Sequence, residues 1–407
     1  MFKNSTFIFI CFIISFGSFG QQNEIAYLNN FIEQNKTITE EQTLDNVLKK
    51  EFTKATNAKK QLYFEIVHAT LMADLYYKKV EVLNSKSEAL FKEALLKSEK
   101  SNVDLQIWVA TQYGFYLYSN SLYKDALPHF LTASRLIEKL NHNLLIQPTE
   151  VLKKNAFYFG SIEDYDKEAL YLKKALKITD QKSKDYAVLL NSIGRNYENS
   201  GNNNQAKKYY NETLRASKLN NDEVRYAKAL GDLASLFEQT KNWEKAEEYL
   251  LKDISISKQH NSQRNTMFAQ IQLGNLYYKK NNLDKALAVL NPAEKYAQSK
   301  SNLKGFEEQI AKLKLAIAIK QNDDKTELEQ RRKLDTLSLY VSKTEGEQVI
   351  NRLNLETQKQ NIQLQLEAEK DKTNKEILIQ KIIILISFVL LTIIILLALV
   401  YKRKMKQ

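Results

Sequence analysis

Cysteine, proline and glycine are nearly absent from this 407-residue chain, which has 1 Cys, 3 Pro and 10 Gly against 22 Tyr and 18 Phe. Sheet proteins need Gly- and Pro-rich turns, so this lack of punctuation points to nearly continuous helix. The one cysteine, Cys11, lies in an N-terminal apolar run that reads as cleaved, which excludes disulfides and thiol chemistry from the remainder. Histidine is scarce too. His68, His129, His142 and His260 are scattered, none three or four residues from another, and no carboxylate joins them at metal-ligand spacing. The glycine patterns of dinucleotide and phosphate loops and the GxSxG elbow are missing. Paired acids such as Glu247-Glu248 and Asp323-Asp324 fall in helical or turn contexts where solvation accounts for them. No catalytic residue, cofactor or metal is expected, and the chain reads as a non-enzyme.

Charge of one sign is also lacking over most of the chain. Of the net +12, Lys3, Lys402, Arg403, Lys404 and Lys406 supply 5, which leaves +7 across a body where acids and bases alternate. Such mixing describes a solvated helical surface rather than a nucleic-acid patch, so no nucleic-acid partner is expected.

What is present begins with one long apolar run. Ile382 to Val400 carries no charge, and its only hydroxyls are Ser387 and Thr392. As a helix it spans roughly 28 Å, about the thickness of a bilayer's hydrocarbon core, and it is expected to be transmembrane over 382–401. The basic tail 402–407 has no acid, which by the positive-inside rule puts it in the cytoplasm. At the other end Lys3 precedes an apolar stretch, Phe7 to Phe16, with Ser18 and Gly20 placed for cleavage before Gln21. Residues 1–20 therefore read as a signal peptide, and an uncleaved anchor would give the same orientation. The expected location is an inner membrane crossed once, with the N-terminal domain periplasmic and the tail cytoplasmic.

Between these ends a pattern recurs: a small residue, an aromatic three later, a polar turn, then Ala, a large residue and Ala. The clearest copy is Gly274, Tyr277, Ala286, Leu290 and Ala293. Others are Ala234, Phe237, Ala246 and Leu250; Gly194, Tyr197, Ala206 and Tyr210; and Gly114, Leu117, Ala126, Phe130 and Ala133. A degenerate copy has Ala156, Phe159, Glu168, Leu172 and Ala175, and a weaker one covers about 68–99 with Phe91 and Ala94. A small residue at a helix crossing lets two backbones approach, and the large side chain packs into the neighbouring pair. The pattern resembles the tetratricopeptide repeat, a unit of two antiparallel helices. Ala126, Ala206, Ala246 and Ala286 lie 80, 40 and 40 apart, so the period is about 40 rather than the family's 34, and Glu168 stands where the family has Ala.

The expected fold is all-α: a tetratricopeptide-like helical-hairpin solenoid, a long connecting helix and one C-terminal transmembrane helix. Residues 21–66 would form an N-terminal helical cap, 67–300 an array of about five to six repeats, and 301–333 capping helices, with Pro292 kinking or breaking its helix. Residues 334–381 read as one polar helix. Its heptad seam is poor, and a weak homodimeric coil through 334–401 and a solvated connecting helix fit equally well.

This order also resembles the exported sensor half of bacterial tetratricopeptide histidine kinases and helix-turn-helix regulators, without their output domain. The repeat resemblance implies a concave face lined by the first helix of each pair. In that frame its residues are Trp108, Phe115, Tyr118, Phe157, Asn191, Arg195, Glu198, Ser235, Glu238, Asn275 and Tyr278. A protein or peptide ligand is the partner such a face implies, although the family's carboxylate-gripping pattern of Lys and Asn does not appear in register. The expected function is a membrane-anchored periplasmic protein that binds such a ligand and relays signals to a separate partner. The alternatives are a truncated sensor half and a structural envelope scaffold.

Overall fold

The computed structural model describes residues 23–55, 57–140, 145–300, 303–343 and 346–357, and single positions between 360 and 381. It divides into two units, Met1–Asn351 and Arg352–Gln407. In the first, helix α1 (23–35) and α2 (Glu41–Lys54) precede six antiparallel hairpins. These are α3 (Ala58–Val80) with α4 (Ser85–Ser98), α5 (Val103–Ser119) with α6 (Tyr123–Lys139), and α7 (Pro148–Ser161) with α8 (Tyr165–Ile178). Then come α9 (Lys184–Asn199) with α10 (Asn203–Leu219), α11 (Glu223–Gln239) with α12 (Trp243–Gln259), and α13 (Gln263–Lys279) with α14 (Leu283–Gln298). Helix α15 (Lys304–Gln321) packs on α14, and α16 (324–343) follows. The unit is an all-α helical-repeat solenoid.

The 40-residue period comes from long helices rather than long turns. Helices α10 to α13 are each 17 residues, separated by turns of only three. Every one of these turns is closed in the same way. Asn221, Lys241, Asn261 and Asn281 take left-handed φ values of 51–59°, and the next N–H bonds back over the turn. Asp222, Asn242, Ser262 and Asn282 donate in this way to the carbonyls of Ser217, Phe237, Ser257 and Tyr277 at 2.8–2.9 Å, the Schellman arrangement. Asp222 and Asn242 then cap the following helix, accepting from the N–H groups of Arg225 and Lys245.

The small residues sit where the hairpin helices cross. A Cβ on Gly194 would lie 2.6 Å from the Tyr210 ring, and one on Gly274 would lie 2.7 Å from Leu290. Ala206, Ala246 and Ala286 are fully buried opposite them. In the degenerate copy the roles are exchanged. Glu168 fills the space beside Gly160, where a Cβ would come within 2.5 Å, and accepts a hydrogen bond from Asn196. The departure at Glu168 is thus packed rather than disruptive.

Three expectations need correction. Pro292 does not break its helix: α14 continues through it to Gln298, as α6 continues through Pro128. Pro292 and Ala288, whose carbonyl it frees, are both exposed, so water can serve that carbonyl. The boundary at 66/67 falls inside α3, and the one at 333/334 falls inside α16. Both were drawn where composition changes, but helices are continuous through those changes. Among the described residues no helix is long and apolar enough to cross a membrane. The expected span 382–401, signal peptide 1–20 and tail 402–407 lie outside the described residues. In the second unit each described position is helical.

Candidate functional site

Successive first helices of the hairpins are stitched by a polar seam along α9, α11 and α13. Asn191 donates to Asp232, and Arg225 donates to Asn191 at 3.1 Å. Two turns on along α9, Glu198 accepts from Ser235 at 2.7 Å, from Gln239 at 3.2 Å and from Tyr210 at 2.6 Å. The next interval repeats the device, with Glu238 accepting from Asn275 at 3.1 Å and from Lys279. Each acid bridges two hairpins because residues one repeat apart stand side by side on neighbouring first helices.

The seam borders a pocket of 350 Å³ between α9, α11, α13 and α15. Arg195, Glu198, Lys228, Asp232 and Ser235 line one side, with Phe268, Gln272, Phe306 and Gln309 on the other. The two phenyl rings meet edge to face at 4.7 Å. At the floor lies the buried Asp253 from α12, which reaches the pocket because Gly231 has no Cβ; one there would sit 2.5 Å from its Oδ2. Burial pushes Asp253 up to about 8, against hydrogen bonds from Ser257 at 2.9 Å and Asn265 at 2.7 Å, so its carboxyl is mostly neutral at pH 7. Lys228 is shifted the other way, down to about 8, first by burial and then by Arg225, Arg195 and Arg264, with Asp232 opposing. Among the described residues Lys228 has neither a hydrogen bond nor an ion pair.

A second polar knot closes the other half of the array. Lys154 bonds Gln112 and pairs with Glu150 at 2.7 Å, and Lys36, just after α1, lies 3.6 Å from Glu150. Burial favours the neutral acid, but Lys154 and Lys36 outweigh it and hold Glu150 well below the usual carboxylate range. Asn29 of α1 also binds the backbone at Leu145 and Gln147, so α1 is fastened over the entry to α7.

The residues expected on the concave face thus separate. Asn191, Glu198, Ser235, Glu238 and Asn275 are brought together on the seam, and the exposed Arg195 joins them at the pocket. Tyr278 stands under Lys320, whose Nζ is 4.1 Å from the ring centre. Phe115 lies against Tyr118 at 5.5 Å and below Lys154, and Phe157 is half-buried on α7. Trp108 is corrected: it is 2% exposed and belongs to the core, because α5 is buried on nearly all faces. Tyr118 packs on Tyr123 and Tyr158, and burial pushes it up to about 12. That aromatic group is covered by the chain itself. Asn351, fully buried, donates to the Tyr158 hydroxyl at 3.4 Å, and Gln348 bonds Tyr123. Missed in the sequence were Lys228, Asp232, Asp253, Phe268 and Phe306. Asp253 sits on a second helix, and the one available signal was Gly231 in the first helix beside it.

Residues 185–259, spanning α9 to α12, match the family model described as tetratricopeptide repeat. The class is therefore a helical-hairpin array that matches the tetratricopeptide repeat over α9 to α12. Solved structures of similar fold include a Rap protein complexed with Competence and Sporulation Factor, with 17% identity, 84% of this chain and 99% of that chain covered, and a TM-score of 0.58. NprR in complex with its cognate peptide NprX gives 14% identity, coverage of 83% and 98%, and a TM-score of 0.56. The apo form of the quorum sensor NprR from B. thuringiensis gives 14%, 84% and 98%, and 0.54. No curated protein matches the chain.

Proposed function

We propose that this protein binds a peptide, or an extended segment of a partner protein, along the α9–α11–α13 seam. The observation that carries the reading is the pocket beside that seam, where Lys228 stands half-buried with no hydrogen bond or ion pair among the described residues. An unpaired cation in such a place costs stability, and a ligand would supply the missing interactions. The solved complexes of similar fold, Rap with its factor and NprR with its peptide, support the class of ligand. On the same reading the protein is exported and anchored by Ile382–Val400, with residues 402–407 in the cytoplasm. The C-terminal helical segment, seated on Tyr158 through Asn351, relays ligand occupancy towards a separate partner, and dimerisation through 334–401 belongs to the same proposal.

Panning the full chain in detergent against displayed random dodecapeptides tests the binding. Enriched peptides should lose about tenfold in affinity on Gln272→Ala or Asn275→Ala and nothing on Lys252→Ala, which is exposed on α12. Peptides indifferent to the seam substitutions, or no enrichment, refute it. A reporter fused after Gln407 that is active only outside the cytoplasm would overturn the topology.

A further inference from the structure

The pocket between α9, α11, α13 and α15 has a chemistry that narrows the ligand. Its charged groups can be accounted for one by one. Glu198 is engaged by Tyr210, Ser235 and Gln239, and Asp232 by Asn191. Asp253, at the floor, is buried and held by Ser257 and Asn265. On the cationic side Arg225 is committed to Asn191, and its Nε, buried, has no partner among the described residues. Arg264 lies 5.7 Å from the Phe268 ring centre. Arg195 and Lys228 line the pocket with no hydrogen bond or ion pair among the described residues. Glu198 and Asp232 keep their charge but have acceptor sites filled by seam donors, whereas Arg195 and Lys228 have unfilled donors at the pocket among the described residues.

The opposite wall carries the Phe268–Phe306 pair, flanked by Gln272 and Gln309. A volume of 350 Å³ is near the lower end of the range for small-ligand pockets, about 300–1,000 Å³, and suits one or two side chains rather than a whole helix. We infer that this pocket takes a peptide segment that places a carboxylate on Lys228 and Arg195 and a bulky apolar side chain on Phe268 and Phe306. A carboxylate supplies the charge-assisted hydrogen bonds that Lys228 lacks, in a place already shielded from water, where such bonds are strongest. A basic side chain at the same place would add like charge beside Arg195 and Lys228 and leave their donors unfilled, so it should bind more weakly. The inference rests on the peptide-binding reading and specifies its ligand.

The test uses full-length protein in detergent and five pools of fluorescein-labelled octapeptides, read by anisotropy. The first pool pairs Asp or Glu with Phe, Leu or Trp, and carries an amidated C-terminus. The second replaces the acids with Asn or Gln, the third replaces them with Lys or Arg, and the fourth replaces the apolar residue with Ser. The fifth repeats the second with a free C-terminal carboxylate. The first pool should bind at least about tenfold tighter than the second, third and fourth. Tight binding of the fifth as well would show that a terminal carboxylate serves equally, and still supports the inference. Lys228→Met should erase the preference for acid over amide, while Lys228→Arg keeps it. Phe306→Ala should erase the preference for the apolar partner. Equal binding of the acidic and amide pools, or an acid preference that survives Lys228→Met, overturns the inference. If the third pool binds best and remains sensitive to Gln272→Ala, the ligand class is wrong but the groove stands. If no pool binds, both fail.

Discussion

Replacing Asp253 with Asn should remove a pH dependence from the stability of the pocket region. In the folded chain burial raises Asp253 from 3.8 to about 8, and in the unfolded chain it returns to its ordinary value. Below about pH 4 both states hold the proton and the group contributes nothing. Between the two values only the folded state keeps it, so folding takes up a proton and stability falls as pH rises. From about pH 5 to about pH 8 the wild type should lose roughly 4 kcal/mol that a permanently neutral side chain does not lose. Asn retains a carbonyl to accept from Ser257 and Asn265, so the exchange costs little packing. The measurement is urea unfolding of both proteins at matched pH, taken as a difference so that every other titrating group cancels. Repeat arrays unfold in segments, so amide exchange in α12 and α13 gives the local counterpart. Parallel pH profiles, or a wild type that gains on the variant as pH rises, would show that Asp253 is ionised in the folded chain and refute the burial argument.

Gly194→Ala should destabilise the array by about 1–3 kcal/mol, because its Cβ meets the Tyr210 ring at 2.6 Å, and Tyr210→Leu in the same chain should recover part of that in thermal melts. Asn242→Ala removes the cap on the Lys245 N–H and should cost about 1 kcal/mol, measured as a lower urea midpoint. Glu294→Ala strands the mostly buried Lys314 and leaves Lys333 to Glu307 alone, and should cost about 3 kcal/mol and speed amide exchange in α16; unchanged exchange there would mean that α16 is held by other contacts.

The hairpins were legible because their determinant is local: Gly194 with Tyr210 and Gly274 with Leu290 must meet at a crossing, and the 40-residue spacing repeats that meeting. The short turns that join these long helices were also present, in Asn221, Lys241, Asn261 and Asn281 two residues past each helix, but such turns reveal themselves through φ rather than composition. The seam was half legible. Asn191, Glu198, Ser235, Glu238 and Asn275 follow from the repeat frame, whereas Lys228 and Asp232 occupy positions that the frame assigns to no ligand. Asp253 was out of reach because its access depends on an absent Cβ in a different helix. Trp108 failed for another reason. Helix α5 is covered on nearly all its faces, and periodicity within one helix cannot report that.

Helix α15 belongs to two structures at once, and this bears on whether the pocket can do more than bind. Phe306 and Gln309 face the pocket, while Glu307 between them is nearly buried and pairs with Lys333 of α16 at 3.2 Å. Lys333 also pairs with Glu294 of α14, which Lys314 of α15 shares, so the middle of α16 is tied to α14 and α15 together. Farther along, Gln348 and Asn351 are fixed on Tyr123 and Tyr158, which belong to the other half of the array. The C-terminal segment is thus pinned at two places, one of which adjoins the pocket. On the proposed binding, pressure on Phe306 would fall on α15 and the first pin, and amide exchange that changes in α16 but not around Asn351 on peptide binding would be its readout. Packed interiors respond to such loads by switching between arrangements rather than by deforming smoothly. A ligand shifts an equilibrium between two arrangements only by the difference in its affinity for them, and a ligand with no such difference shifts nothing. Helix α15 thus lines the pocket through Phe306 and Gln309 and is tied to α16 through Glu307 and, by way of Glu294, Lys314.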